Sequence, residues 1–488
     1  VAPPTMGRKS CDGIPIKTSS RPAPTPKTRK HAAQPPPPTR PPRPPNSLIP
    51  YISTKTALGQ HVLERIEEDG YCVLPSILSQ EECDEEYDRL WSFVEATSPG
   101  VKRSDPDSWY PDKHNVDGTA ASAAATAATT PPDPWPHSGW ANLPDMCQSY
   151  QGGWLFSSLR EKLAKRVFEP IYGTKLLHSS KEGFTFHRPT CPSVVSDPSR
   201  FAHPSSSSMI GKKRPRRVAG KVQKRVDGDH FDQRAVDVGL QCIQSSTAFL
   251  DQEEGKDGCF MCWPGSHRMH PKLTEGLWRA RSDWVPLTDD ECDLLRAEGY
   301  SPKRVPVKGG DVILWRSDLC HCGAGPLGAV NTFRAVSYTC MLPAMMTEQG
   351  EGKDSLEEEE HGNGTLLGSE AMLTRKFGEY LSMQTGDHRP DLASMPHMQD
   401  PKLNGVELMQ PYFKDGPPEL TWRQAELYGL VPYLIENEDG DGAEEGCDTS
   451  DSAEKLRERL RERAIRRGVR FQNGHEAELE RGSEAMVT

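Results

Sequence analysis

Thr332-Phe333-Arg334-Ala335-Val336-Ser337-Tyr338-Thr339-Cys340-Met341-Leu342 is one of five β-rich runs that follow one another in the second half of the chain. The others are Asp237 to Asp251, Cys259 to Trp263, Val305-Pro306-Val307 and Asp311 to Trp315. All are short, and Gly and Pro punctuate the sequence between them. Helix-length segments do not alternate with them in a βαβ rhythm, so the expected sheet is an antiparallel barrel or sandwich.

Working outward, the region before these runs reads as helices and one early strand. His61-Val62-Leu63-Glu64-Arg65-Ile66 has helical spacing, and Gly70-Tyr71-Cys72-Val73-Leu74-Pro75 reads as a short strand. Ser79-Gln80-Glu81-Glu82 is a capping box that opens a helix running through Trp91 and Phe93. Residues 370–435 alternate helical pieces with Pro-containing loops. The expected fold class is mainly β with packed helices (α+β).

Composition limits how much of the chain can order itself. Only 35% of the 488 residues are apolar, against roughly 45–50% (Gly included) in an average globular chain. Residues 1–50 hold 15 prolines and nine Lys/Arg against a single acid, Asp12. A Pro-rich basic tail over 1–52 is therefore expected to be disordered, with polyproline II character around Pro35–Pro38. Two insertions are expected in the central domain (53–435), near 115–133 (Ala/Thr-rich) and 191–226, the latter ending in a basic stretch with eight Lys/Arg and no acid over 211–226. Residues 436–451 carry eight acids and no base, and a charged helix over 453–467 reads as a solvated arm, so 436–488 is expected to be an acidic linker and helical tail.

No stretch approaches 18 consecutive apolar residues, which excludes a membrane-spanning helix by this reading. The balance of 59 basic and 70 acidic residues, net −11, argues against a polyanion-binding protein, and nucleic acid is not an expected partner. Lys212-Lys213-Arg214-Pro215-Arg216-Arg217 is a candidate importin contact. Thirteen scattered cysteines suit reduced thiols in an intracellular protein, cytoplasmic or nuclear.

The chemistry concentrates in His230-Phe231-Asp232, His321 and Arg334. In a strand, residues two apart face the same way, so His230 and Asp232 can present an imidazole and a carboxylate to one point. A second His from a distant strand, His321, completes a two-His, one-carboxylate face that suits Fe(II) and leaves positions open for a bidentate cosubstrate and O2. Arg334, 13 residues beyond His321, is expected on the neighbouring strand. It would face inward beside Val336 and Tyr338 and offer a fork for the far carboxylate of a dicarboxylate cosubstrate. No acid lies between Asp318 and Glu348 to pair with it locally. The competing reading is a zinc site from Cys259, Cys262, Cys320, His321 and Cys322. In an extended strand, however, Cys320 and Cys322 point away from His321. A third reading is an inactive barrel serving as a binding scaffold.

Taken together, these pieces resemble the phytanoyl-CoA dioxygenase family of Fe(II)/2-oxoglutarate oxygenases. The resemblance rests on Asp69-Gly70-Tyr71-Cys72-Val73-Leu74 with Ser79-Gln80-Glu81-Glu82, on Phe186-His187-Arg188-Pro189, on His230-Phe231-Asp232-Gln233 and on Pro264-Gly265-Ser266-His267. It continues in Gly310-Asp311-Val312-Ile313-Leu314-Trp315, His321-Cys322-Gly323 and Arg334, in family order from about 57 to 345. It implies a double-stranded β-helix (a jelly-roll-like barrel) with helices on one side, iron held by His230, Asp232 and His321, and Arg334 on the 2-oxoglutarate C5 carboxylate. Arg188 is a second candidate for cosubstrate binding. The implied activity is hydroxylation of a small-molecule or lipid-like substrate using O2, with release of succinate and CO2 and with ascorbate as a candidate reductant. Members acting on acyl-CoA often place a hydroxyl residue two positions after the distal His. Gly323 stands there in this chain, and its metal-site surroundings lie closer to the poorly characterised His-x-Asp-Gln branch, so an acyl-CoA substrate is not carried over.

Overall fold

The computed structural model describes residues 47–110, 134–136, 146–149, 153–189, 228–345 apart from 238, 278–282, 328–329 and 331, then 364–367, 370–383, 388–390, 412–436 and 449–472. The Pro-rich tail up to residue 46, both expected insertions, the basic run 212–217 and most of the acidic run lie outside the described residues.

The chain opens with helix α1 (Ala57–Glu68), strand β1 (Tyr71–Leu74) and helix α2 (Gln80–Thr97). The capping box at Ser79 forms as its sequence predicts, Ser79 Oγ accepting from Glu82 N and Glu82 returning the bond to Ser79 N. After β2 (Met146–Ser149), helices α3 (Ser157–Leu163) and α4 (Glu169–Tyr172) lead to β3 (Leu177–Ser179) and β4 (Phe184–His187). The strand-rich half supplies β5 (His230–Phe231), β6 (Ile243–Ala248), β7 (Cys259–Cys262), β8 (Val285–Pro286), β9 (Lys303–Val305), β10 (Val312–Arg316), β11 (His321–Ala324) and β12 (Arg334–Pro343), with short helices α5 (His270–Thr274) and α6 (Asp289–Ala297) between them. A C-terminal lobe follows: β13 (Gly364–Leu367), α7 (Glu370–Leu381), α8 (Trp422–Leu427), β14 (Tyr433–Glu436) and α9 (Thr449–Arg466).

Two antiparallel sheets form the centre. The larger runs β1-β10-β6-β12-β4-β2, with β3 also on β12, and the smaller runs β8-β5-β11-β7-β9. Period-2 alternation sorts their side chains. On β10, Val312 and Leu314 face the helices and join the core formed with Val62, Leu90, Phe93, Leu163 and Phe168. Ile313 and Trp315 face the other way and pack with Tyr71, Ala248 and Val336 of their own sheet and with Phe260, Cys262 and Val305 of the smaller one. Helices therefore cover one face of the larger sheet, and the smaller sheet covers the other.

The Gly309-Gly310-Asp311 turn holds β10 in place. Gly310 has φ +90°, and a Cβ there would meet the Leu78 carbonyl oxygen at 2.4 Å. Its own carbonyl accepts from Ile77 N and Leu78 N. Asp311 then accepts from Ser76 N and Lys308 N, both at 2.9 Å. Only glycine allows this approach with that backbone conformation.

Three expectations need correction. The charged helix α9 is not a solvated arm: Leu456, Leu460 and Ala464 are buried, and Ala464 joins Tyr380, Leu420, Tyr428 and Val469 in the core of the C-terminal lobe. Those three residues form an i, i+4, i+8 stripe inside a strongly charged sequence. Flanking arginines lie over aromatic rings, Arg461 on Phe471 and Arg467 on Phe377. The tail also ends earlier than residue 52, because Leu48 and Ile52 are core residues and Leu48 N donates to Leu240 O at 2.7 Å. Finally, Arg334 does not sit on the strand beside His321. β11 belongs to the smaller sheet and β12 to the larger, so the intervening residues cross between sheets. Val336 nevertheless faces the space between the sheets, as expected, with Tyr338 packed against that cluster.

Candidate metal centre

β5 and β11 bring the two histidines together as direct cross-strand partners, His321 opposite His230, with ring centroids 4.5 Å apart. β5 ends at Phe231, so Asp232 does not reach the histidines by strand alternation. The chain bends there, Asp232 N donates to Ser317 O at 2.9 Å, and the carboxylate turns back onto both imidazoles. Asp232 Oδ1 lies 3.6 Å from His230 Nε2, and Oδ2 lies 3.3 Å from His321 Nε2. Ligand atoms of the three residues all fall within 4.8 Å of one another, and they form the only such His/Cys/Asp/Glu group among the described residues.

The donor set has the chemistry a metal ion requires. His230 Nδ1 hydrogen-bonds Gly228 O at 2.7 Å, and His321 Nδ1 hydrogen-bonds Leu319 O at 2.9 Å. Each carbonyl accepts a hydrogen bond from Nδ1–H, which leaves an Nε2 lone pair aimed at the shared centre. Burial pushes the His230 pKa below its ordinary value, against the pull of Asp232, which favours the neutral ligand form. Burial alone would push the Asp232 carboxyl up, but His230 and His321 beside it outweigh this and hold it well below the usual carboxylate range. Gln244, on β6 of the larger sheet, donates from Nε2 to Asp232 Oδ2 at 2.9 Å and so fixes the carboxylate from across the interior.

Several interior polar atoms lack partners among the described residues: Gln244 Oε1, Trp315 Nε1 and Gln252 Nε2, all buried. Trp315 lies 5.3 Å from the His321 ring, and Gln252 accepts from Arg334 Nε at 3.4 Å. Buried polar groups are ordinarily paired, so this set fits a space built for a polar ligand. Arg334 is itself buried and has no acidic partner among the described residues. Its neighbour across the sheet is His187, and it lines one cleft with His187, Arg188, Asp257, Gly258 and Thr332. Arg188 is held elsewhere by its guanidinium, which lies over the Tyr110 and Trp135 rings and donates to the Trp109 carbonyl.

The cysteines of the zinc reading stay outside this group. Cys259, Cys262 and Cys320 are buried thiols whose pKa values burial raises, the opposite of what a thiolate ligand needs. Cys262 faces His321 across β7–β11, and Cys322 faces Met261, so the register does not gather them.

Sequence reasoning singled out the His-Asp-His set and Arg334 but not Gln244, Gln252, Ser317 or His388, whose Nε2 lies 2.9 Å from Asp232 O. Gln244 alone carried a signal, a polar residue within a β-rich run.

Residues 216–327 match the family model for phytanoyl-CoA dioxygenase, and across that segment the chain is phytanoyl-CoA dioxygenase-like. The segment holds His230, Asp232 and His321 and ends before Arg334. No curated protein matches the chain. Among solved structures, it is similar to HygX from Streptomyces hygroscopicus with nickel, 2-oxoglutarate and hygromycin B bound (13% identity, 58% of this chain and 87% of that one, TM-score 0.30). It is also similar to EctD from S. alaskensis with 2-oxoglutarate and 5-hydroxyectoine (15%, 60% and 77%, TM-score 0.31). A third is the non-heme α-ketoglutarate-dependent carbocyclase SnoK from nogalamycin biosynthesis (14%, 59% and 85%, TM-score 0.33).

Proposed function

We propose that the chain is an Fe(II)- and 2-oxoglutarate-dependent oxygenase that hydroxylates a small-molecule or lipid-like substrate. The observation that carries this reading is the His230–Asp232–His321 group with both Nδ1 atoms tied to backbone carbonyls, inside a segment matched by the family. Bound Fe(II) supplies activation of O2, coupled to conversion of 2-oxoglutarate to succinate and CO2. The chain's own residues do the rest. His230, Asp232 and His321 hold one face of the ion, and Gln244 orients the carboxylate. Arg334 supports the reading as an anchor for the cosubstrate's far carboxylate, because Gln252 takes its Nε–H and leaves the two Nη groups and Gln252 Nε2 to receive an anion. Arg188, locked over two aromatic rings, shapes the same cleft. Phe260 and Trp315 flank His321 and keep water from that side. In this reading the two sheets form the double-stranded β-helix of the family, and the catalytic domain runs from residue 47 into the C-terminal lobe.

The test is metal-dependent turnover. Purified protein given Fe(II), 2-oxoglutarate and ascorbate should release succinate, and His230→Ala or Asp232→Ala should abolish both succinate release and Fe(II) binding with little change in melting temperature. Wild-type turnover by the His230→Ala variant with added Fe(II) would overturn the reading.

A further inference from the structure

We propose that His388 is a positioning residue for the metal centre, acting through the backbone of Asp232 from a strap of chain that lies beyond the family-matching segment. The inference rests on the metal-centre reading above. Asp232 has left strand β5, so no ladder bond fixes its peptide groups. Its N–H donates to Ser317 O. Its carbonyl receives His388 Nε2–H at 2.9 Å, which is its hydrogen bond among the described residues. With both peptide groups held, the root of the carboxylate cannot rotate, and Gln244 needs only to set the side-chain torsions.

The strap is built to hold that contact. His388, Arg389 and Pro390 come from the C-terminal lobe, about sixty positions after the family match ends at residue 327. His388 and Arg389 are both buried. Lys376 on α7 donates from Nζ to Pro390 O at 2.5 Å and ties the strap to the lobe. Arg389 Nη1 sits 3.8 Å from Asp237 Oδ2. Asp237 in turn takes a two-pronged bond from Arg234, 2.9 and 2.8 Å. The strap therefore grips the metal loop near both ends, at Asp232 and Asp237. Within the loop, Gln233 Nε2 donates to Asp237 O and Gly239 O, and Gln233 Oε1 accepts from Ser317 Oγ. Those bonds keep the loop folded without His388, but none reaches the Asp232 carbonyl. Removing the imidazole takes that bond from the half-buried carbonyl, and turning the Asp232–Gln233 peptide toward another donor would swing the carboxylate away from His230 and His321. Partners that orient metal ligands typically matter by 10–100-fold in metal affinity.

Two conservative variants separate positioning from bulk. Gln places an amide nitrogen near where His Nε2 lies, whereas Asn reaches only as far as Nδ1. In the full-length protein, Co(II) affinity read from its visible absorption should be kept within about threefold in His388→Gln and weakened by about tenfold or more in His388→Asn, with the two melting temperatures alike. Equal Co(II) affinity in wild type and His388→Asn would overturn the inference while leaving the metal-centre reading intact. So would equal losses in both variants. A wild type that binds no Co(II), or binds it as well after Asp232→Ala, would overturn the metal-centre reading and this inference with it.

Discussion

Replacing Arg334 by Met should separate function from stability in opposite directions. The guanidinium is buried, its described partner is the neutral Gln252 Oε1 at 3.4 Å, and no carboxylate among the described residues pairs with it. Two charge-assisted hydrogen bonds to a cosubstrate carboxylate are worth about 1.5–3 kcal/mol each. Losing both costs about 3 kcal/mol at the low end, a rise of more than a hundredfold in the 2-oxoglutarate concentration for half-saturation. The Fe(II) requirement should move far less. Arg334→Lys keeps the charge but not the fork and should fall between the two. In the ligand-free protein the same Met substitution removes an uncompensated buried charge with an apolar chain of similar length. The melting temperature should then stay level or rise by on the order of 1–3 °C. Titration of succinate release against 2-oxoglutarate, with a thermal melt of each variant, measures both effects. An unchanged half-saturation in Arg334→Met would remove the residue from the cosubstrate site, and a large fall in melting temperature would show that the charge is structurally compensated.

Two further outcomes concern stability. Gly310→Ala forces an L-residue into φ +90° and drives its Cβ onto the Leu78 carbonyl. Left-handed strain of about 1–2 kcal/mol plus disturbed bonds to Ile77 and Leu78 should cost about 3 kcal/mol, read as a lower urea midpoint; a loss below about 1 kcal/mol would contradict the close approach. Burial, reinforced by the charges of Lys376 and Arg375, lowers the His178 pKa to about 3, and burial, reinforced by Arg316, lowers that of His267 to about 4. Both folded-state values lie below the unfolded value near 6.5, so the unfolded chain takes up protons first. Stability is therefore full above about pH 6.5 and declines as pH falls toward 4, by about 1.4 kcal/mol per pH unit for each histidine. Denaturant midpoints between pH 7 and 4.5 should show this slope, and a His178→Gln/His267→Asn double variant should flatten it; an equally steep slope in that variant would refute the assignment.

His230, Asp232 and His321 were legible as a candidate group from residue type, and strand faces were legible because a β-run constrains where side chains point. Ile313 and Trp315 against Val312 and Leu314 show the same rule, and the two faces of β10 follow directly from alternation. The capping box at Ser79 was equally readable, since its bonds close within four residues. Long-range placement was not. Spacing suggested that Asp232 shares a face with His230 by alternation, whereas the chain leaves the strand there and the Asp232 peptide groups bond to Ser317 and His388. Thirteen residues between His321 and Arg334 suggested adjacent strands, but the connection crosses to the other sheet. The charge of α9 hid a buried stripe of Leu456, Leu460 and Ala464, the last of which packs in one cluster with Tyr380 and Tyr428, residues far off in sequence. Local chemistry and periodicity are properties of a short window, so sequence alone determined the candidate side-chain types, the caps and the strand faces. Which remote Gln, His or backbone carbonyl satisfies a buried group depends on chain closure over 12 residues for Gln244 and 156 for His388, and only the tertiary structure decided that.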